Sequence, residues 1–299
     1  MEYHRPVLLD ESIEWLNILP EGTYVDLTFG GGGHSRKILE KLGQKGRLIA
    51  FDRDEDVQDH LPDDSRFTLV PANYRHLKRY IRNLSEDGVD GILADLGVSS
   101  HQLDKGERGF SYRMDASLDM RMGQRSGKTA EDVLNLYEKA ELIRVLARYG
   151  EVRSASRIAN EIVKQRNSRK LETTGDLVDL LKPFAGRSEW KFYSQVFQAI
   201  RIEVNDELVS LEEALLGSLD VLKPGGRLVV ISYHSLEDRL VKRFMKTGNL
   251  EGEVVKDDFG VVESPWKLLV KKPVEPSEKE IEENSRARSA RMRVAEKIN

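Results

Sequence analysis

The chain has 299 residues, of which 39% are hydrophobic and 33% charged, a composition typical of a globular protein and not of a disordered or membrane one. It has no cysteine, which excludes disulfides, thiolate nucleophiles and cysteine-based zinc sites. No signal peptide and no apolar run of about 18 residues is visible, so we expect a cytoplasmic protein.

Charge is unevenly distributed along the chain. The net charge of −4 argues mildly against a nucleic-acid partner. Positions 101–200, however, hold 18 Lys and Arg against 14 Asp and Glu, and the tail 285–299 adds five further cations. Such an excess is typical either of a solvated helix face or of an RNA-binding surface, and composition leaves both interpretations open.

Short runs rich in β-branched residues predict strands in the first third of the chain, at 23–27, 47–51, 67–70 and 89–94. A helix with one apolar face, 35–42, lies between the first two and stops at Gly43. Strands that alternate with helices and look buried on both faces predict a parallel α/β sheet.

The next comparable strand, 227–231, follows a helix at 206–221, and a last strand is predicted at 266–270. A strand–helix–strand unit needs roughly 30 residues, so the gap after Ala94 is about a hundred residues too long. Apolar residues in that gap recur at helical spacing, and Thr129 with Asp132 predicts a helix cap. We therefore predict an all-α domain, 106–204, inserted into an α/β domain made of 1–105 and 205–299.

Ligands of open α/β sheets bind at the carboxyl ends of the strands. After the first predicted strand come Asp26 and the four glycines 30–33, which let the backbone approach a ligand closely. The second strand ends at Asp52, about twenty residues later, where a carboxylate accepts hydrogen bonds from ribose hydroxyls. This unit predicts an adenosine-containing cofactor, with a plain flexible turn as the alternative.

The motif details favour S-adenosylmethionine. The dinucleotide pattern would need a third glycine where Ser35 stands, and no Lys-Ser or Lys-Thr of a P-loop follows the glycines. No pyrophosphate cradle is specified, and S-adenosylmethionine has no phosphate. Asp26 is placed to meet its ammonium group, and Asp95, after the fourth strand, to face the methyl-transfer centre. Tyr74, after the third, either covers the adenine or packs in the core.

Blocks in both predicted domains resemble the bacterial 16S ribosomal RNA methyltransferase family called RsmH or MraW. They are HRPVLLDE (4–11), DLTFGGGGHS (26–35), DLGVSS (95–100), QLD (102–104), ERGFS (107–111), DMRM (119–122), FQAIRI (197–202), NDEL (205–208), SYHSLEDR (232–239) and RARS (286–289).

The resemblance implies a class I (Rossmann-like) S-adenosylmethionine-dependent methyltransferase sheet with an inserted all-α domain. It also implies methylation of the N4 amine of a cytidine in 16S ribosomal RNA, position 1402 in the usual RNA numbering, with a small-subunit particle as partner. Carried over by motif position, the cofactor contacts are Gly32, Gly33, His34, Asp52, Tyr74, Asp95 and Gln102.

The lone pair of cytosine N4 is delocalised into the ring, so an acceptor is needed for its hydrogens. Asp95 is one candidate and His234 a second, able to take a proton near neutral pH, although a lone histidine is more often structural. The residues after His234 are also typical of a simple helix start. Tyr233 is the candidate for stacking on the base. Phosphate contacts are assigned to Arg108, Arg113, Arg121 and Arg201, and no metal site is expected.

Three other functions remain as alternatives. A methyltransferase acting on a protein or small molecule would use the same cofactor residues, and only the insertion and the basic tail argue against it. A nicotinamide-dependent oxidoreductase is disfavoured by Ser35. A non-catalytic RNA-binding module with a vestigial pocket is disfavoured by the intact glycine turn and Asp52.

Overall fold

The structure, a computed structural model, describes residues 6–104, 106–125, 127–256, 259–260 and 262–298. His4 and Arg5 of the first resemblance block lie outside the described residues. The chain divides into two compact units. We call them the sheet unit, Met1–Gly97 with Leu208–Asn299, and the helical unit, Val98–Glu207. The predicted insertion, 106–204, falls inside the helical unit.

The sheet unit contains a seven-stranded sheet in the order β3-β2-β1-β4-β5-β9-β8. The first five strands in this order are parallel, and β9 is antiparallel to both of its neighbours. The strands are β1 (Thr23–Asp26), β2 (Arg47–Phe51), β3 (Phe67–Val70), β4 (Val89–Asp95), β5 (Leu222–Ser232), β8 (Trp266–Leu268) and β9 (Arg291–Lys297), and β6 (Val255–Lys256) pairs with β7 (Val262–Glu263) in a separate ribbon. The position of β1 between β2 and β4 is typical of the Rossmann-like class I order, so the predicted fold class is confirmed.

Helices cover both faces of the sheet. Alternate strand residues point to opposite faces, so Val25 and Ile49 pack in one core and Tyr24 and Leu48 in the other. The helices of the sheet unit are α1 (Leu9–Leu16), α2 (Gly33–Lys41), α3 (Leu77–Leu84), α10 (Glu207–Val221, whose first residue belongs to the helical unit), α11 (Ser235–Thr247) and α12 (Glu278–Glu283). Burial on both faces explains why the parallel strands read as continuous apolar runs.

In the basic C-terminal tail, the interpretation as a solvated helix face is wrong for Arg291–Lys297, because this part forms β9 and pairs with β5. Alternate side chains such as Met292 are buried, and the charges between them are paired. Arg293 donates to both carboxylate oxygens of Asp238, at 2.6 and 3.1 Å. Lys297 donates to two backbone carbonyls at the junction of α10 and β5. These two cations therefore stabilise the fold and do not form a free basic surface.

The helical unit confirms the predicted helical periodicity. Thr129 and Asp132 form a reciprocal capping box at its α5, and apolar residues of the gap such as Leu146, Ile158 and Leu177 are buried on three successive helices. Its helices are α4 (Ser100–Asp104), α5 (Ala130–Leu136), α6 (Lys139–Gly150), α7 (Ala155–Arg166), α8 (Thr174–Leu181) and α9 (Glu189–Asn205). In the described part of the chain, every helix is too short or too polar to cross a membrane.

Candidate functional site

The glycine turn between β1 and α2 depends on glycine for conformation and for packing. Gly30 and Gly32 have φ of 51° and 73°, in the left-handed region that glycine tolerates. A Cβ on Gly32 would lie 2.8 Å from the ring of Phe29, and one on Gly33 would collide with the ring of Pro6. The turn is thus a close backbone cradle, and α2 begins at its end.

Asp52, directly after β2, lies against this turn. Its Oδ2 accepts the N–H of Gly30 and its Oδ1 the N–H of Asp54, both at 2.8 Å. Burial raises the pKa of Asp52, and the two backbone hydrogen bonds oppose that shift. A carboxylate has about four acceptor positions, so the two that remain suit the paired hydroxyls of a ribose.

Asp26, the last residue of β1, is 1% exposed. Its carboxylate accepts hydrogen bonds from the Ser35 hydroxyl at 2.7 Å and from the Thr28 N–H at 3.1 Å. Burial raises the pKa of Asp26 to about 6. Within the described ranges it has no cationic partner, so a cationic ligand group would stabilise its ionised form. Ser35, which the sequence showed only as a missing third glycine, positions this carboxylate.

Asp95 ends β4, the strand beside β1. Tyr233, which follows β5, donates its hydroxyl to Asp95 Oδ1 at 2.7 Å, and His34 Nδ1 lies 3.8 Å from Asp95 Oδ2. Burial raises the pKa of Asp95 to about 7, with the charges of Asp26 and Glu237 adding to the rise and the Tyr233 hydrogen bond opposing it. The carboxyl group is therefore poised to gain or lose a proton near neutral pH.

His34 is buried on the first turn of α2. Burial lowers the pKa of His34 to about 4, so its ring is neutral at pH 7. Its Nε2 is buried without a hydrogen-bond partner among the described residues. An orphaned polar atom beside a glycine cradle is expected where a ligand supplies the missing partner. Together with the carboxylates of Asp26 and Asp52, His34 Nε2 makes a group of polar atoms that fits an adenosine cofactor with a cationic amino-acid end.

The two residues after β5 have different surroundings. The ring of Tyr233 is half-buried beside the backbone of Gly97, and burial with the adjacent Asp95 raises the pKa of Tyr233 well above its ordinary value. His234 is the N-cap of α11, where its Nδ1 accepts the Glu237 N–H at 3.3 Å. Its Nε2 lies 3.1 Å from Glu237 Oε1. Its Nδ1 is thus engaged locally, whereas its Nε2 is buried beside Glu237 without a hydrogen-bond partner among the described residues, so the proton-accepting role of His234 stays a prediction.

Tyr74 and Gln102 stay predictions as cofactor contacts. Tyr74 begins a short 3-10 helix after β3 and packs against the apolar core of the sheet. Gln102 is a buried residue of α4 in the helical unit, where its Oε1 accepts the N–H of Ser99 at 3.1 Å.

The four arginines assigned to phosphate contacts lie in the helical unit, and two of them are held by carboxylates. Arg121 forms a two-pronged pair with Asp119, and Arg201 forms one with Glu207. Arg108 is buried, with its guanidinium 5.5 Å from the ring of Phe110. Arg113 is exposed and has no ion pair within the described residues. Among the four, Arg113 is the one with an open guanidinium.

Comparison with known proteins identifies relatives of this chain. The model of the MraW methylase family matches residues 1–298. A protein of Parabacteroides distasonis, named ribosomal RNA small subunit methyltransferase H, is 54% identical over 298 residues, 99% of this chain and 98% of its own. A protein of Cytophaga hutchinsonii with the same name is 53% identical over 298 residues, 99% of both chains. A solved rRNA methylase from Streptococcus thermophilus, 14% identical, has a TM-score of 0.41 over 97% of this chain and 93% of its own.

The cofactor and the family follow from these matches and the geometry. S-adenosylmethionine is the cofactor expected of a methylase with this sheet order, glycine turn and strand-end acids. Matched over 298 of its 299 residues, the chain belongs to the MraW methylase family.

Proposed function

We propose that the chain methylates the exocyclic N4 of a cytidine in 16S ribosomal RNA, position 1402, with the RNA in a small-subunit particle. The observation that carries the proposal is the carboxyl group of Asp95. It lies at the end of β4 with a pKa of about 7, oriented by Tyr233 and beside the glycine turn of the cofactor site. The names of the relatives, which specify RNA of the small ribosomal subunit, support the substrate class.

The cofactor residues hold the methyl donor. The glycine turn contacts its amino-acid portion, Asp26 its ammonium group and Asp52 its ribose. When bound, the donor supplies a sulfonium methyl group with a good leaving group, so alignment of nucleophile, carbon and sulfur supplies much of the rate. Asp26 and Asp52 lie at the ends of adjacent parallel strands, so the sheet sets the spacing between the two carboxylates that would hold the ammonium group and the ribose.

Asp95 acts on the acceptor. As a carboxylate it accepts a hydrogen bond from the N4 amine, which makes the nitrogen lone pair more available. As the N4–methyl bond forms and the sulfur–methyl bond breaks, N4 gives up one proton, and Asp95 accepts it. A pKa of about 7 suits this task, because the group is substantially ionised at pH 7 and still basic enough to take the proton.

Tyr233 and His34 prepare Asp95 for this role. The Tyr233 hydroxyl occupies one oxygen of Asp95, which directs the other toward the acceptor. His34 stays neutral and leaves the Asp95 carboxylate without a competing cation. The cytidine must leave its stack to reach such a recessed group, as bases do in other enzymes that modify them. Exposed Arg113 is the arginine we assign to the RNA backbone.

The test uses purified protein, labelled S-adenosylmethionine, and small-subunit particles or naked 16S RNA from cells that lack this enzyme. We expect label in the particle, and nuclease digestion with mass spectrometry should locate N4-methylcytidine at position 1402. Label in a protein extract but not in RNA would favour the protein or small-molecule alternative. Label on another atom or nucleotide would reject the proposed specificity.

A further inference from the structure

We propose that Glu280, on the short helix α12, is a positioning residue that holds the segment 6–8 against the glycine turn and His34. The inference deepens the proposed function, because it rests on the methyl-donor site. The C-terminal part of the sheet unit would then help to complete a cofactor site whose glycine turn and strand-end acids come from the first hundred positions.

Segment 6–8 lies directly on the cofactor turn. The ring of Pro6 occupies the space in which Gly33 would carry a Cβ. The backbone of Val7 raises the pKa of His34 against the larger, opposite effect of burial, which places Val7 beside the ring of His34. Two neighbouring residues of the segment therefore contact two neighbouring residues of the donor site, and any displacement of the segment would disturb both contacts.

The segment ends in a conformation that needs an external partner. Leu8 is fully buried and has a φ of 52°, a left-handed conformation that costs a leucine on the order of 1 kcal/mol or more. Its N–H donates to Glu280 Oε1 at 2.7 Å, across 272 positions of sequence. A charge-assisted hydrogen bond of this length is among the stronger ones in proteins. Glu280 thus offsets the strain that brings segment 6–8 over the turn.

The C-terminal segment is itself anchored in the same core. Ala287 and Ala290, just after α12, are buried in the cluster that contains Val7 and Leu8. The charge of Glu280 also contributes to raising the pKa of Tyr233, behind the burial and the adjacent Asp95, which agrees with its position near the site. Glu280 is therefore held in place independently of the bond that it makes to Leu8.

This arrangement predicts an effect on donor binding and not on the chemical step. Without the Glu280 carboxylate, segment 6–8 is free to leave the turn, and binding must bring it back. Once the donor is bound at saturation, the segment is again in place. Loss of Glu280 should therefore raise the Kd and KM for S-adenosylmethionine and leave kcat nearly unchanged.

The experiment measures the Kd for S-adenosylmethionine by calorimetry on the full chain. We expect Glu280→Ala to raise the Kd about tenfold, since hydrogen bonds to charged groups are worth at least that much. Glu280→Gln keeps an acceptor for the Leu8 N–H and should stay within about threefold of wild type. Glu283→Ala is the matched control on the same helix, because among the described residues Glu283 makes only an exposed pair with Lys279 at 3.9 Å.

A second variant tests the segment directly. Pro6→Ala should raise the Kd in the same direction, and the double variant Pro6→Ala/Glu280→Ala should add little to either single change, because both act on one contact. An unchanged Kd in Glu280→Ala or Pro6→Ala, or equal losses in Glu280→Ala and Glu280→Gln, would overturn the inference. Binding to wild type without methylation of RNA would instead reject the proposed function alone.

Discussion

The buried carboxylates of the cofactor site in the sheet unit differ in their surroundings from buried Glu203 of the helical unit. In the sheet unit, burial raises the pKa of Asp26 to about 6 and of Asp95 to about 7, and neither has a lysine or arginine partner within the described ranges. In the helical unit, burial acts on Glu203 in the same direction, but hydrogen bonds from Tyr137 and Arg144 and the charges of Lys128 and Arg144 lower its pKa overall.

Carboxylates that stabilise the fold differ in this way from carboxylates that are available for chemistry. Glu203 is surrounded by cations at 3.1 and 3.4 Å, so its charge is already compensated. Burial destabilises the ionised forms of Asp26 and Asp95. Binding of a cationic donor or of a proton compensates the charge and is therefore favourable at these two groups. The same side-chain type therefore indicates function where its partners are missing and fold stability where they are present.

Loss of turnover in Asp95→Asn is the largest effect expected. The amide keeps the shape and can still accept from Tyr233, but it cannot take a proton. We expect turnover to fall by about 10²–10⁴, with the affinity for S-adenosylmethionine within a few-fold of wild type. The wild-type rate should rise with pH through about 7, as Asp95 ionises. Single-turnover methylation across pH 5–9 checks both.

Asp90→Asn is the matched control for this prediction. Asp90 lies at the other end of the same strand and pairs with Lys223 at 3.0 Å, away from the cofactor turn. Turnover in Asp90→Asn should stay near wild type at temperatures where the protein is folded. An Asp95→Asn variant with more than a tenth of wild-type turnover would remove the proton-accepting role.

Stability should change in opposite directions in Asp95→Asn and Glu203→Gln. The folded pKa of Asp95 lies above its ordinary value, so wild-type stability falls as pH rises from about 4 to about 7. Asp95→Asn should therefore stabilise the protein by about 2–4 kcal/mol at pH 8 and much less at pH 5. The pKa of Glu203 is lowered, so Glu203→Gln should cost about 1–3 kcal/mol at pH 8, and this loss should fade below pH 4.

Thermal melting of the full chain at several pH values measures both variants. The expected loss of stability in Glu203→Gln is set lower than for a fully buried ion pair, because solvent screens the charges of Arg144 and Lys128, which are 42% and 31% exposed. Destabilisation of the same sign in both variants would contradict the contrast between the two units.

The smallest effect concerns His234. Asparagine is a good N-cap, so His234→Asn should keep both stability and turnover, whereas His234→Ala should cost about 1 kcal/mol of stability and leave turnover within about threefold. Melting and methylation assays on the two variants test this. A loss of a hundredfold or more in His234→Asn, with normal melting, would restore His234 as a proton acceptor.

Sequence reasoning succeeded where a pattern is local. The parallel strands, the capping box at Thr129 and the buried stripes of the helical unit all follow from periodicity, which short segments carry by themselves. Sequence reasoning failed at the strand in the C-terminal tail. Arginines alternate there with apolar residues, which suggests a charged surface, but in the structure Arg293 pairs with Asp238. Arg121 and Arg201 stay predictions as phosphate contacts, and their pairing with carboxylates is a tertiary feature that residue spacing did not show.

The sequence by itself determined the class of the fold, the glycine turn and the acids at the strand ends, since these depend on residue type and spacing within about thirty positions. Tertiary structure decided the charge state of those acids, because a pKa depends on burial and on neighbours that are distant in sequence. Only it brought Tyr233 to Asp95, 138 positions away, and Glu280 to Leu8, 272 positions away. Residue types determine which chemistry is available, and packing determines where a proton or a methyl donor is stabilised.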